Sequence, residues 1–249
     1  ATLQLSQDVS MGVTHSSGNH GAALALAAKE CGKRAMVVVP TDARPEKRVA
    51  IERLGAKVVD CGEELADRET VLAEVMASEP EAVFVPPYDH AEIIAGQGTA
   101  ALELVEEVGD LDQLWVPIGG GGLAAGTTIV ANGQIDVICA EPELARDAHD
   151  SLAMGDLQPA MPPHTVADGL RTALGKLNFE ILRQNRIAVV LVDDEAILNA
   201  MGLIWNRLKI VVEPSAAACL AAMLLDPRRV AKRAGIILSG GNISPPGPY

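Results

Sequence analysis

Along most of this 249-residue chain, short aliphatic runs alternate with alanine-rich stretches of helical length, and glycines stand at several of the joins. Residues 22–31 read as a helix ended by Gly32, 35–39 as a buried strand, 46–54 as a helix closed by Gly55, and 57–60 as a second strand. A helix over 64–77 and a strand over 82–85 follow. The rhythm resumes with a long helix over 91–108, strands over 114–118, 136–140 and 187–192, helices over 194–208 and 215–225, and a last strand over 235–238. Such alternation indicates α/β architecture with parallel sheets covered by helices. Aromatic residues are only 2% of a chain that is 49% hydrophobic, so the core must be built from Ala, Val, Leu and Ile.

Charge and chain patterning narrow the function classes. A net charge of -13, with no basic patch, disfavours nucleic acid and anionic membrane surfaces as partners. No apolar run reaches the roughly 18 residues of a membrane span, and residues 1–8 have neither the basic start nor the apolar block of a secretory signal. Cys31, Cys61, Cys139 and Cys219 lie far apart, which fits free, buried thiols in a reducing cytoplasm. The proline-rich stretch 158–164 reads as a surface loop.

Three loops carry the chemical signal. In Val116-Pro117-Ile118-Gly119-Gly120-Gly121-Gly122-Leu123, four glycines follow a strand and precede a helical stretch. Their backbone N–H groups and the positive end of a helix suit a phosphate, although glycines alone fit a flexible turn equally well. The run is neither a Walker A motif nor a GxGxxG fingerprint. Thr14-His15-Ser16-Ser17-Gly18-Asn19-His20-Gly21 places hydroxyls, an amide and an imidazole where a helix begins. That turn can hold a carboxylate, or Ser16 or Ser17 can be an ordinary N-cap. Leu238-Ser239-Gly240-Gly241-Asn242 follows the last strand, where α/β sheets bind ligands, and by itself it fits a plain turn as well.

Together with Ile94-Ala95-Gly96-Gln97-Gly98-Thr99, Ala140-Glu141-Pro142, Val166-Ala167-Asp168-Gly169-Leu170 and Val212-Glu213-Pro214-Ser215, these loops resemble the fold-type II pyridoxal-phosphate enzymes, in the branch of serine racemase and the serine/threonine dehydratases. The resemblance covers nearly the whole chain. It implies two three-layer α/β domains with mostly parallel sheets, as in the tryptophan synthase β fold: a small domain with the substrate loop over 11–88, and a large cofactor domain over 1–10 and 89–249.

The resemblance also implies residue roles. Gly119, Gly120, Gly121, Gly122 and the Leu123 N–H would hold the phosphate of pyridoxal 5'-phosphate. Asn19 would meet the phenolic oxygen of its ring and Ser239 the ring nitrogen, with Glu213 and Asn242 close to the cofactor. Ser16, Ser17, Gly18, Asn19 and His20 would grip the substrate carboxylate, and Ser17 would be a catalytic acid/base. Glu141, the Ala145 carbonyl and Asp147 match a divalent-cation site, for which oxygen ligands suit Mg2+ or Ca2+; a solvated acidic loop is the plainer reading of the same residues. Family members often form homodimers.

In the family, the lysine that binds the cofactor precedes the serine–glycine loop in a Lys-x-Arg-Gly-Ala motif. Ala1-Thr2-Leu3-Gln4-Leu5 would follow just after it. None of Lys29, Lys33, Lys47, Lys57, Lys176, Lys209 and Lys232 sits in that context, and Lys47 and Lys57 read as surface lysines. The N-terminal part of the large domain is therefore expected to be missing from this sequence. The expected activity is dehydration (ammonia lyase) or racemisation of serine, threonine or a related hydroxy amino acid. The alternative is an inactive fragment or relative of the same fold that binds a phosphate-bearing small molecule.

Overall fold

The computed structural model describes residues 9–16, 18–63, 65–162 and 164–244. They form two compact units, one made of the residues up to Pro87 with those from Asn242, the other of Tyr88–Gly241. None of the helices among the described residues is long and apolar enough to cross a membrane.

The first unit runs β1 (Met11–His15), α1 (Asn19–Glu30), β2 (Arg34–Pro40), α2 (Pro45–Arg53), β3 (Lys57–Cys61), α3 (Leu65–Ser78) and β4 (Ala82–Phe84). Its strands form a parallel sheet in the order β3-β2-β1-β4. Hydrophobic patterning passes over β1, because Gly12, Thr14 and His15 dilute its apolar signal. The strand is nonetheless paired on both sides, with Val13 between Met36 and Phe84. Met11 and Val13 pack with Met36, Val38 and Val75 of α3. On the opposite face, glycine lets α1 lie close to the sheet: a Cβ on Gly12 would sit 3.0 Å from Leu24, and one on Gly21 would sit 2.9 Å from Val37. Gly32 and Gly55 end α1 and α2 at φ +64° and +92°, the left-handed backbone that favours glycine.

The second unit runs α4 (Ala91–Val108), β5 (Gln113–Pro117), α5 (Gly122–Ala131), β6 (Asp136–Pro142), α6 (Asp147–Met154), α7 (Lys176–Gln184), β7 (Ala188–Val192), α8 (Asp194–Leu203), α9 (Pro214–Leu225) and β8 (Ala234–Ile236). The sheet is again parallel, in the order β7-β6-β5-β8. Alternate residues of β5 serve two cores. Trp115 joins Ile197 and Ala200 of α8 and the buried alanines of α9, while Leu114 and Val116 join Ala124 of α5 with Phe179 and Leu182 of α7. The result is three layers. Alanine and glycine do here what aromatic bulk does elsewhere, by letting helices approach the sheet closely.

Several elements differ from the sequence expectation. The helical stretch after the glycines begins inside the run, since α5 starts at Gly122 itself and runs for 10 residues. The stretch 143–154 contains the short helix α6 where the acidic residues read as a loop. The helix expected over 194–208 widens into a π turn at Ile204–Leu208, beyond which Lys209 is left-handed at φ 61°. Cys61, Cys139 and Cys219 are buried as expected, whereas Cys31 is exposed. Burial pushes the Cys139 and Cys219 thiols up, which leaves them poor nucleophiles. Pro163, within the expected surface loop, lies outside the described residues.

Candidate active site

Both sheets share one topology, and it explains where the sequence loops fall. In each, the chain lays three strands in one direction and then places the fourth on the far side of the first. The carboxyl ends of the first and fourth strands therefore border a switch point, the crevice where open α/β sheets bind ligands. In the first unit this edge carries Ser16, Gly18 and Asn19 after β1 and Val85 after β4. In the second it carries 118–122 after β5 and 237–241 after β8. The glycine run and Ser239 thus leave adjacent strands at the same edge, with Ile237 N–H still bonded to the Trp115 carbonyl (3.0 Å).

The glycine run is shaped by residues distant in sequence. Gly119, Gly120, Gly121 and Gly122 are buried, and Leu123 is half-buried. A Cβ would lie 2.9 Å from Leu170 Cα at Gly119, 2.4 Å from the Tyr88 ring at Gly120, and 2.4 Å from Gln97 Oε1 at Gly122. Gly121 is left-handed at φ +88° and is the N-cap of α5. The Gly120 carbonyl accepts hydrogen bonds from Asn178 Nδ2 (2.7 Å) and Gly175 N–H (3.1 Å). A trans peptide then aims the Gly121 N–H the opposite way. Asp89 bonds the N–H groups of Lys176 and Leu177 at the start of α7, anchoring that side of the cradle.

This arrangement fits a phosphate. The start of α5 has no side-chain cap and no acidic residue in its first turn, and the first N–H groups of a helix have no partner within it. Backbone donors and the helix dipole remain for an anion. Tyr88, Gln97, Leu170, Leu174 and Asn178 are the supporting residues that sequence reasoning missed. Only Gln97 and Leu170 lay in recognised blocks; nothing in the local sequence distinguishes Asn178.

Ser239 is exposed beyond β8. The segment before α9 runs against its loop: Glu213 N–H donates to the Gly240 carbonyl (3.0 Å), and a Cβ on Gly241 would sit 2.4 Å from the Val211 carbonyl oxygen. Glu213, 2% exposed, is the N-cap of α9. Asn242 is half-buried and groups with the first unit.

The three candidate cation ligands fall on β6, on the short 3-10 turn after it and at the first residue of α6. Glu141 is fully buried, and its carboxylate accepts the N–H groups of Ala148 (2.9 Å) and His149 (2.8 Å) at the start of α6. Asp147 accepts Leu174 N–H (2.8 Å). Burial pushes Glu141 up to about 8 and raises Asp147, and the backbone bonds only partly offset this. Ala145 is buried between them in a short 3-10 turn. Among the described residues, no cluster of three or more His, Cys, Asp or Glu groups could hold a metal. The donors present are two buried carboxylates that an adjacent cation would help to ionise, together with a backbone carbonyl.

In the first unit, Gly18 is the N-cap of α1, which has no side-chain cap and no acidic residue in its first turn. Ser16 Oγ instead accepts Gly18 N–H (3.2 Å), so its hydroxyl tightens the turn before the helix. Ser17 lies outside the described residues. Asn19 is exposed at the first helical position, and His20 Nε2 meets the Val85 carbonyl at 3.2 Å. That partner requires a proton on Nε2 and leaves Nδ1 as an acceptor in the neutral ring. Next to it, His15 stacks on Phe84 with centroids 5.8 Å apart.

Burial holds His20 down at about 4; the Val85 carbonyl opposes the shift and His15 adds to it. His15 is also lowered, by burial and then Arg68, against Glu69. Because the folded value of His20 lies below the unfolded value of 6.5, its contribution is complete above pH 6.5. It is lost as pH falls towards 4, by up to about 3 kcal/mol. The urea midpoint should therefore fall more between pH 7 and 5 for wild type than for His20→Gln. An equal fall in the two proteins would show that His20 does not titrate across folding.

The family description "Pyridoxal-phosphate dependent enzyme" matches residues 5–240. The chain is 44% identical over 246 residues to a serine racemase of Dictyostelium discoideum, covering 95% of this chain and 76% of that protein. It is 40% identical to an L-threo-3-hydroxyaspartate ammonia-lyase of Saccharomyces cerevisiae, covering 93% and 72%. Among solved structures, a maize serine racemase superposes with a TM-score of 0.89 at 40% identity, covering 97% of this chain and 75% of that one. The glycine cradle, the switch-point loops and these likenesses agree: the chain belongs to the family of pyridoxal-phosphate dependent enzymes.

Proposed function

We propose that this protein uses pyridoxal phosphate to dehydrate or racemise a small hydroxy amino acid, such as serine, threonine or hydroxyaspartate. The observation that carries the reading is the buried glycine run leading into an uncapped helix at a switch point, with Ser239 leaving the adjacent strand. The activities of the relatives supply the substrate class.

When bound, the cofactor supplies an electron sink for a carbanion at the substrate α-carbon. The N–H groups of Gly119, Gly120, Gly121, Gly122 and Leu123 hold its phosphate. Ser239 meets the ring nitrogen with a hydroxyl; an alcohol, unlike an aspartate, does not keep that nitrogen protonated. Asn19 bonds the phenolic oxygen, and Glu213 and Asn242 complete the surroundings. Ser16, Gly18 and His20 receive the substrate carboxylate at the start of α1. Ser17 moves a proton on one face of the α-carbon. Glu141, Asp147 and the Ala145 carbonyl hold a magnesium or calcium ion; the support is two buried carboxylates on neighbouring elements, both pushed up by burial.

The test supplies the protein with pyridoxal phosphate and assays L-serine, L-threonine and L-threo-3-hydroxyaspartate, with magnesium and after chelation. We expect oxo acid and ammonia from at least one substrate, a lower rate after chelation, and the D-enantiomer of serine. Ser17→Ala should suppress formation of that enantiomer by at least about tenfold. Protein that retains the cofactor yet consumes none of the three would be a binder without this activity.

A further inference from the structure

Lys47 stands out against the sequence expectation of a surface lysine: it is 4% exposed. It is the third residue of α2, where the positive end of the helix disfavours a cation. The next residue shows the ordinary alternative, since Arg48 reaches outward to Asp60 and Glu52. The Lys47 side chain instead runs under the turn before α1. A Cβ on Gly18 would lie 3.1 Å from Lys47 Cδ and 3.4 Å from its Nζ. Glycine at 18 thus leaves the space that the lysine stem fills, and the ammonium lies at the uncapped start of α1.

We propose that Lys47 is a positioning residue for the substrate carboxylate: its stem props the turn at Gly18, and its ammonium adds a fixed positive charge to the anion-receiving start of α1. The proposal rests on the reading of 16–20 as the carboxylate loop. A carboxylate received at the start of α1 would lie beside this charge as well as at the positive end of the helix. A charge placed under the loop strengthens the hold on any carboxylate there without touching the reacting carbon. It should therefore govern binding rather than the chemical step.

The experiment compares wild-type holoenzyme with Lys47→Met and Lys47→Arg. One arm measures KM and kcat on the preferred hydroxy amino acid. The other titrates 3-hydroxypropionate, which has a carboxylate and hydroxyl but no amine, by calorimetry. For Lys47→Met we expect KM and the 3-hydroxypropionate Kd to rise about ten- to hundredfold, with kcat within about threefold and cofactor absorbance unchanged. Lys47→Arg should recover most of the affinity. Wild-type KM and Kd in Lys47→Met would overturn the proposal. So would equal losses in both variants, which would mark a packing role only. If Lys47→Met does not fold, Lys47→Gln takes its place against Lys47→Arg under the same criteria. If wild type turns over no hydroxy amino acid, the functional reading fails, and the titration still decides the role of Lys47.

Discussion

Gly121→Ala is expected to lower stability by about 2–5 kcal/mol and to weaken pyridoxal-phosphate binding by about a hundredfold. Two effects add. Gly121 sits at φ +88°, where an L-residue costs about 1–2 kcal/mol. The new methyl would also lie 2.6 Å from Leu174 Cδ1 and 2.9 Å from Asn178 Cβ, an overpacking penalty of about 1–3 kcal/mol. The leucine end can rotate away, but the Asn178 Cβ is fixed to the backbone of α7, and the Asn178 amide holds the Gly120 carbonyl. Relief therefore turns the loop and moves the amides that face the phosphate. Losing one or two charge-assisted hydrogen bonds accounts for the drop in affinity. Urea unfolding and a cofactor titration measure the two effects. Gly155→Ala is the control: it has φ +80° with nothing within 4 Å, so it should lose about 1–2 kcal/mol from strain and leave cofactor affinity alone. If Gly121→Ala behaves like Gly155→Ala, the cradle does not depend on this packing.

Gly126→Ala should be nearly as damaging, by about 3 kcal/mol, although it lies outside every recognised motif. The added methyl would stand 2.5 Å from the Ile94 carbonyl oxygen, 2.6 Å from Gly98 N and 2.7 Å from Gly98 Cα. All three are main-chain atoms, so no rotamer relieves the clash, and α4 and α5 must separate. Because α5 starts at the glycine run, its displacement should also weaken cofactor binding roughly tenfold. Gly202→Ala, in α8 with nothing within 4 Å, should instead be neutral or gain about 0.5–1 kcal/mol. A Gly126→Ala protein with wild-type stability would contradict the close helix crossing.

Much of the fold is legible in the sequence, because aliphatic strands and alanine-rich helices carry clear periods and glycines mark their ends. The helix expected over 91–108 is α4 to the residue. Less legible are the elements whose stability comes from distant partners. β1 carries little apolar signal of its own and is fixed by pairing on both sides. α5 opens on a weak helix former and is set by its crossing with α4. The start of α6 looks like solvated acidic loop until Glu141 is seen to bind its N–H groups. At the site, the glycine run and the serine loops announce themselves locally. Tyr88, Asn178 and Lys47, which shape those loops from other elements, do not.

The amino-acid order alone determined most of the strands and helices, and that amide-rich turns follow particular strands, because apolar periodicity and the steric freedom of glycine are local properties. Only the tertiary structure decided that β5 and β8 are neighbours, that the glycines at 98 and 126 let two helices touch, and that a lysine lies beneath Gly18. Those facts depend on how closely one backbone approaches another across dozens of residues, and no local pattern of side chains encodes that distance.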